Sequence, residues 1–230
     1  MEITYLEHSG FLLEDEKRCY VFDLWRDEKG VVDEKFKSGK TLWFFISHAH
    51  GDHMNPTIGK YDTPETRYFA HTDVQIQGIE EEHYIEMAVG DKVTVEGVSV
   101  SMYGSTDAGG SFEVCTGKEH LFHAGDLNWW HWLGDTEENN LEARGFWDNE
   151  LERIVPMKEV DILFFPIDAR LEGAREWGIL EFLQQVSVKK LLVPMHMHDA
   201  GWVPSERFET EHPGMPIWVP MKKGDTHKVD

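Results

Sequence analysis

Apolar and polar positions alternate in short bursts along the first half of the chain. Residues 3–6, 10–13 and 18–24 are apolar or alternating runs parted by charged turns, the pattern of a meander of antiparallel strands. The stretch from Arg26 to Lys40 is charged and punctuated by glycine, which predicts a loop or short helix before the apolar run Leu42-Trp43-Phe44-Phe45-Ile46. Asn55-Pro56 opens a helical segment, and residues 67–70 read as another strand. Residues 89–100 alternate around Glu96-Gly97 as a hairpin, and 112–115 and 120–123 extend the sheet. Later, a helix is expected over Glu137–Ile154. The apolar runs 161–166 and 190–194 flank a segment of helical spacing, 177–186, as a strand, helix, strand unit. With no linker, low-complexity tract or short-period repeat, the order predicts a single domain over 1–230: two sheets covered by helices, with the loops that matter at one edge.

Composition narrows the class. At 230 residues and 40% hydrophobic content the chain can bury a full core. Its 22 Lys+Arg against 43 Asp+Glu leave a net charge of -21, which argues against a long nucleic-acid partner and against docking on anionic membranes. Cys19 and Cys115 lie far apart without a CxxC spacing, so both are expected as buried free thiols in a reducing compartment. The chain starts on strand alternation without a basic or apolar leader, and no apolar run approaches the roughly 18 residues of a membrane span. The expected location is the cytoplasm.

One segment names a chemistry. Ser47-His48-Ala49-His50-Gly51-Asp52-His53 follows the apolar run 42–46 directly. A strand ending in a tight loop turns His48 and His50 toward one point, while Asp52 and His53 diverge toward a second, a spacing that suits two cations. Imidazole with one carboxylate fits zinc first, with manganese or iron as alternatives, whereas calcium or magnesium calls for mostly oxygen ligands. The competing reading, a surface histidine cluster in a chain with 13 histidines, is disfavoured because the block follows a strand of buried type. Further candidates stand at strand ends. His123-Ala124-Gly125-Asp126 finishes one strand, with Asp126 placed to bridge two cations. His196 and His198 finish another at i and i+2, so one points into the site and the other away.

These residues resemble the metallo-β-lactamase fold hydrolases, whose HxHxDH signature stands here as His48 to His53. Ile3 to Phe11, Phe22-Asp23 and His123 to Asp126 look like the branch that includes ascorbate-6-phosphate lactonase and uncharacterised metal-dependent hydrolases. The similarity spans nearly the whole chain and is specific for fold more than for substrate. It implies an α/β four-layer αββα sandwich. His48 and His50 would hold a first metal, Asp52, His53 and His196 a second, and Asp126 would bridge them. The family's third histidine to the first metal would fall in the loop 102–110, which has none; Asp107 or His8 are the candidates to replace it, and a single metal held by Asp52, His53, Asp126 and His196 is the alternative. His8 is weighed equally as a ligand and as an ordinary turn histidine, while His123 and His198 are read as supporting groups.

A bound dication lowers the pKa of coordinated water to about 7, so the expected activity is hydrolysis of a small metabolite, an ester, lactone or related bond, by metal-activated hydroxide. Asp52 is the expected proton acceptor and His131 a candidate donor to the leaving group. Trp129, Trp130 and Trp132 beside Asp126 suggest a wall for a flat or apolar group, weighed evenly against ordinary packing. Arg170 either fixes a substrate anion or pairs with Asp168, the pairing being favoured. A phosphodiesterase or nuclease of the same fold and a degenerate, non-catalytic metal- or ligand-binding protein are the alternatives. Nothing in the sequence indicates the oligomeric state.

Overall fold

In the computed structural model, which describes residues 1–198 and 200–229, the N-terminal meander forms as expected. Strands β1 (Glu2–Glu7), β2 (Gly10–Glu14) and β3 (Arg18–Phe22) are antiparallel neighbours. The charged stretch 26–40 contains a short helix, α1 (Val31–Lys37), whose first amides are capped by the Asp27 carboxylate. Then β4 (Thr41–Ile46), β5 (Arg67–His71) and β6 (Tyr84–Met87) add in parallel to β3. The helical segment that follows Asn55-Pro56 is a 3-10 turn, Ile58–Tyr61.

Strands β7 (Lys92–Val95) and β8 (Val98–Gly104) are the expected hairpin, turning on Glu96 (φ 47) and Gly97 (φ 82). β9 (Gly110–Cys115) and β10 (His120–His123) continue it antiparallel. Helix α2 (Glu137–Ile154) is capped by the Thr136 hydroxyl, which accepts from the Asn139 amide. β11 (Glu159–Pro166), α3 (Trp177–Gln185) and β12 (Ser187–Met195) are the strand, helix, strand unit, with β10, β11 and β12 parallel. A short α4 (Glu206–Glu211) and a three-residue β13 (Thr226–Lys228) complete the described elements.

The chain divides into two compact units. Residues 1–89 with the C-terminal segment from Pro220 hold a seven-stranded sheet in the order β13-β1-β2-β3-β4-β5-β6. One face of that sheet packs Leu12, Val21, Phe44 and Tyr68 against Val32 of α1 and Tyr61 of the 3-10 turn. The other face carries a ladder of rings, Phe22 on Phe45 at 4.6 Å and Phe45 on Phe69 at 4.9 Å, all buried. Burial of both faces explains why β3, β4 and β5 read as continuous apolar runs. Residues 90–219 hold a six-stranded sheet, β12-β11-β10-β9-β8-β7. Here Phe122 and Phe165 meet Phe182 of α3, and Trp147 of α2 meets Phe165. Cys19 is buried, and burial with the nearby Glu14 pushes its thiol up to about 12; Cys115, expected buried, is half-buried.

Candidate metal centre

His48 to His53, Asp126 and His196 follow the carboxyl ends of parallel strands, whereas His8 and Asp107, the candidates to replace the third histidine, follow the antiparallel strands β1 and β8. In the first unit, β3 and β4 run side by side with Phe22 opposite Phe45, so Asp23 emerges beside Ser47 and the histidine loop. Asp23 is fully buried and its carboxylate gathers three groups. It accepts from the Ser47 amide at 2.8 Å and the Ser47 hydroxyl at 2.7 Å, and it holds His53 Nδ1 at 2.8 Å. Ser47 Oγ also lies 2.9 Å from His48 Nδ1. Both imidazoles are thereby fixed through Nδ1, which turns Nε2 to the task of a ligand.

His8 joins this group from the β1–β2 turn. Its Nε2 is 3.5 Å from Asp52 Oδ2 and its ring stands edge-on to His53 at 5.4 Å. One ligand atom from each of His8, Asp52 and His53 falls within 4.8 Å of the others. His50 is exposed, with its ring 4.5 Å from that of His48.

The second unit repeats the device with three strands. Asp126 follows β10, Asp168 follows β11 and His196 follows β12. His196 Nε2 lies 3.0 Å from Asp126 Oδ1 and its Nδ1 lies 3.2 Å from Asp168 Oδ2. Gly125, with φ 54, makes the turn that brings Asp126 back. Burial alone would raise the Asp168 carboxyl, but hydrogen bonds from His196 and Arg170 outweigh it and hold the group well below the usual carboxylate range. Arg170 grips Asp168 as a fork, Nη2 to Oδ2 at 2.6 Å and Nε to Oδ1 at 3.0 Å, so it forms the ion pair and not a free anion clamp. His198 reaches the same carboxylate, Nε2 to Oδ2 at 3.4 Å, and His123 is fully buried and accepts from the Gly125 amide at Nδ1.

Several of these residues have left-handed backbone, His8 at φ 58, Asp23 at φ 40, His196 at φ 61 and His198 at φ 48. Such a conformation costs an L-residue about 1–2 kcal/mol and persists where surrounding contacts over-determine it. In the sequence Asp23 stands out only as part of the Phe22-Asp23 strand end and Asp168 only as the partner of Arg170; their hold on His53 and His196 is what sequence reasoning missed. The available signal was an aspartate directly after an apolar strand whose parallel neighbour ends in a histidine.

Asp126 and His196 also line a cavity of about 360 Å³ in the second unit, together with Asp107, Trp130, Trp132 and Arg170. The tryptophan cluster divides in two. Trp130 donates its indole N–H to the Asp126 carbonyl at 2.8 Å and lines the cavity, whereas Trp129 and His131 pack against Trp177 at 5.1 and 4.7 Å. His131, the candidate donor, is not among the cavity's lining residues.

The donor chemistry fits a divalent transition metal in both units: imidazole nitrogens presented by buried carboxylate or hydroxyl partners, with carboxylates at hand. Comparison with solved structures supplies the class. A metallo hydrolase of the archaeon Ignicoccus hospitalis KIN4/I superposes with TM-score 0.65 at 16% identity, covering 98% of this chain and 97% of that one. A metallo-β-lactamase fold protein from Bacillus subtilis gives 0.62 at 11% identity over 98% of each. The chain has the metallo-β-lactamase fold. No family model matches it. By sequence, a UPF0173 metal-dependent hydrolase of Alkaliphilus metalliredigens (strain QYMF) is 30% identical over 217 residues, 85% of each protein. The chain belongs to this family of metal-dependent hydrolases.

Proposed function

We propose that the enzyme is a zinc-dependent hydrolase of a small metabolite, cleaving an ester, lactone or related bond, with manganese or iron as substitute metals. Its ligands in this reading are His48, His50, Asp52, His53, Asp126 and His196. The observation that carries it is the pair of buried aspartates, Asp23 and Asp168, each holding the Nδ1 of a candidate ligand histidine. That carboxylate–imidazole pairing makes the imidazole a stronger and correctly aimed ligand. A divalent ion bound there supplies a water of lowered pKa and a Lewis acid for the substrate oxygen.

The chain's own residues do the rest. Asp23 and Asp168 keep the imidazoles in one tautomer and orientation. Asp52, with 45% of its side chain exposed, is the carboxylate of the signature able to take a proton and pass it to solvent. The cavity beside Asp126 and His196 matches the size of a small molecule. The charge of -21 supports a partner other than long nucleic acid. Two free cysteines support a reducing, cytoplasmic setting. Among the described residues no helix is long and apolar enough to cross a membrane.

The test is chelator dialysis followed by addition of one and two equivalents of zinc, assayed on a panel of lactones, aryl esters, thioesters and phosphodiesters, with bound metal counted by mass spectrometry. Hydrolysis is expected to vanish and return with metal. His53→Ala and His196→Ala are expected to bind less zinc. Turnover that survives complete metal removal, or full zinc content in both variants, refutes the assignment. Turnover confined to phosphodiesters refutes the substrate class.

A further inference from the structure

The cavity that carries Asp126 and His196 is walled elsewhere by aromatic rings and carboxylates, and the two together restrict what enters it. Trp130 and Trp132 present indole planes within 10° of parallel, with centroids 6.2 Å apart. Both are fixed: Trp130 by its hydrogen bond to the Asp126 carbonyl, Trp132 by the Arg170 guanidinium 5.4 Å from its centroid. Phe146 of α2 lines the same cavity although 51% exposed. A single exposed ring is ordinary surface, but three around one cavity form an apolar lining that a flat group covers better than water does.

Charge works by exclusion. Among the described residues on the wall Arg170 is the one lysine or arginine, and its guanidinium pairs with Asp168 through both Nε and Nη2. Asp107 and Glu142, also on the wall, form no ion pair among the described residues. Both are exposed, and an anionic substituent placed beside them meets like charge.

We propose that this cavity selects a substrate whose group remote from the cleaved bond is flat, apolar and free of negative charge, about the size of one six-membered ring with a short substituent. The volume of about 360 Å³ lies near the lower end of small-molecule sites. The proposal rests on the hydrolase reading for the bond that is cleaved, but not for binding of the ring.

Benzamide, benzoate and benzamidine share a ring and differ in charge, so calorimetric titration of each into the zinc-free protein reads the cavity without turnover. Benzamide and benzamidine are expected to bind, and benzoate about tenfold more weakly or not at all. Trp132→Ala and Phe146→Ala should each weaken benzamide by roughly fivefold, with circular dichroism unchanged. The double variant Asp107→Asn, Glu142→Gln should narrow the gap between benzoate and benzamide, with Asp126 holding the remainder in the zinc-free protein. Benzoate binding as tightly as benzamide to the unaltered protein, or benzamide affinity indifferent to both ring deletions, overturns the proposal. If the rings bind as stated while zinc-loaded protein hydrolyses nothing in the panel, the hydrolytic reading fails and the cavity assignment stands. If zinc-loaded protein hydrolyses esters and benzamide neither binds nor competes, the cavity assignment alone fails.

Discussion

Asp23 concentrates more of the first unit's polar order than any histidine near it. Three groups, the Ser47 amide, the Ser47 hydroxyl and His53 Nδ1, converge on one fully buried carboxylate. Asn keeps the shape of this side chain but replaces one acceptor by a donor, so Asp23→Asn sets an amide N–H against a group that also donates. We expect a loss of about 1–3 kcal/mol in urea unfolding of the metal-free protein. Zinc affinity, read by competitive chelator titration, should fall roughly 10–100-fold. The ligands themselves were legible because His48 to His53 and His123 to Asp126 are local patterns. Asp23 and Asp168 were not, because an aspartate after a strand also reads as a turn, and its meaning depends on which histidine a parallel neighbour brings beside it. The tryptophans show the same limit. Adjacent in sequence, Trp129 and Trp130 part company: Trp129 packs on Trp177, while of the three tryptophans Trp130 and Trp132 line the cavity.

At the level of elements, α3 approaches the loop after β10 so closely that Gly178 has no room for a side chain. A Cβ there would stand 2.0 Å from Asn128 Oδ1 and 2.9 Å from the Trp129 amide nitrogen. Alanine is the better helix former by about 1 kcal/mol, yet overpacking against a fully enclosed loop costs about 1–3 kcal/mol. Gly178→Ala should therefore lower Tm by about 2–4 °C in a thermal melt, the reverse of what helix propensity alone predicts. Helix α2 was legible to the residue, since Thr136 caps it and Glu137 and Glu138 favour its first turn. β6, α4 and β13 were missed. Tyr84–Met87 and Thr226–Lys228 are short edge strands with weak alternation, and what makes them strands is pairing with β5 and β1 across long sequence separations. The helical segment after Pro56 is a single 3-10 turn, within which Gly59 lies against the Gln77 carbonyl, where a hypothetical Cβ would be at 2.0 Å.

For the whole molecule, charge sets the response to solvent. A net charge of -21 makes the compact state repel itself, so raising NaCl from about 10 to about 150 mM, which shortens the Debye length from about 30 to about 8 Å, should raise Tm. Acid acts through particular carboxylates. Burial would raise the Glu14 carboxyl, but Lys35 and Lys40 lower it below its ordinary value; Glu113 is lowered by its hydrogen bond with His120 against the effect of burial. Both folded values lie beneath the unfolded value of about 4.3, so their contribution is complete above that pH and is lost as pH falls through the folded values. Melts between pH 7 and 3 should show Tm dropping below about pH 4, and Glu113→Gln should flatten part of that drop. A Tm that rises steadily to pH 3 would contradict this account.

The pairing of β1 with β13, Glu2 opposite Lys228 and Thr4 opposite Thr226, also carries a schedule. A ribosome delivers β1 before the second unit and β13 only after that unit has been made. At about 5–20 residues per second the gap is on the order of ten seconds. Throughout that interval one edge of the first sheet presents bare amides and carbonyls to its surroundings, with Glu2 and Glu7 the nearest charges to discourage a wrong partner. The nascent protein therefore spends its most aggregation-prone moments waiting for three residues.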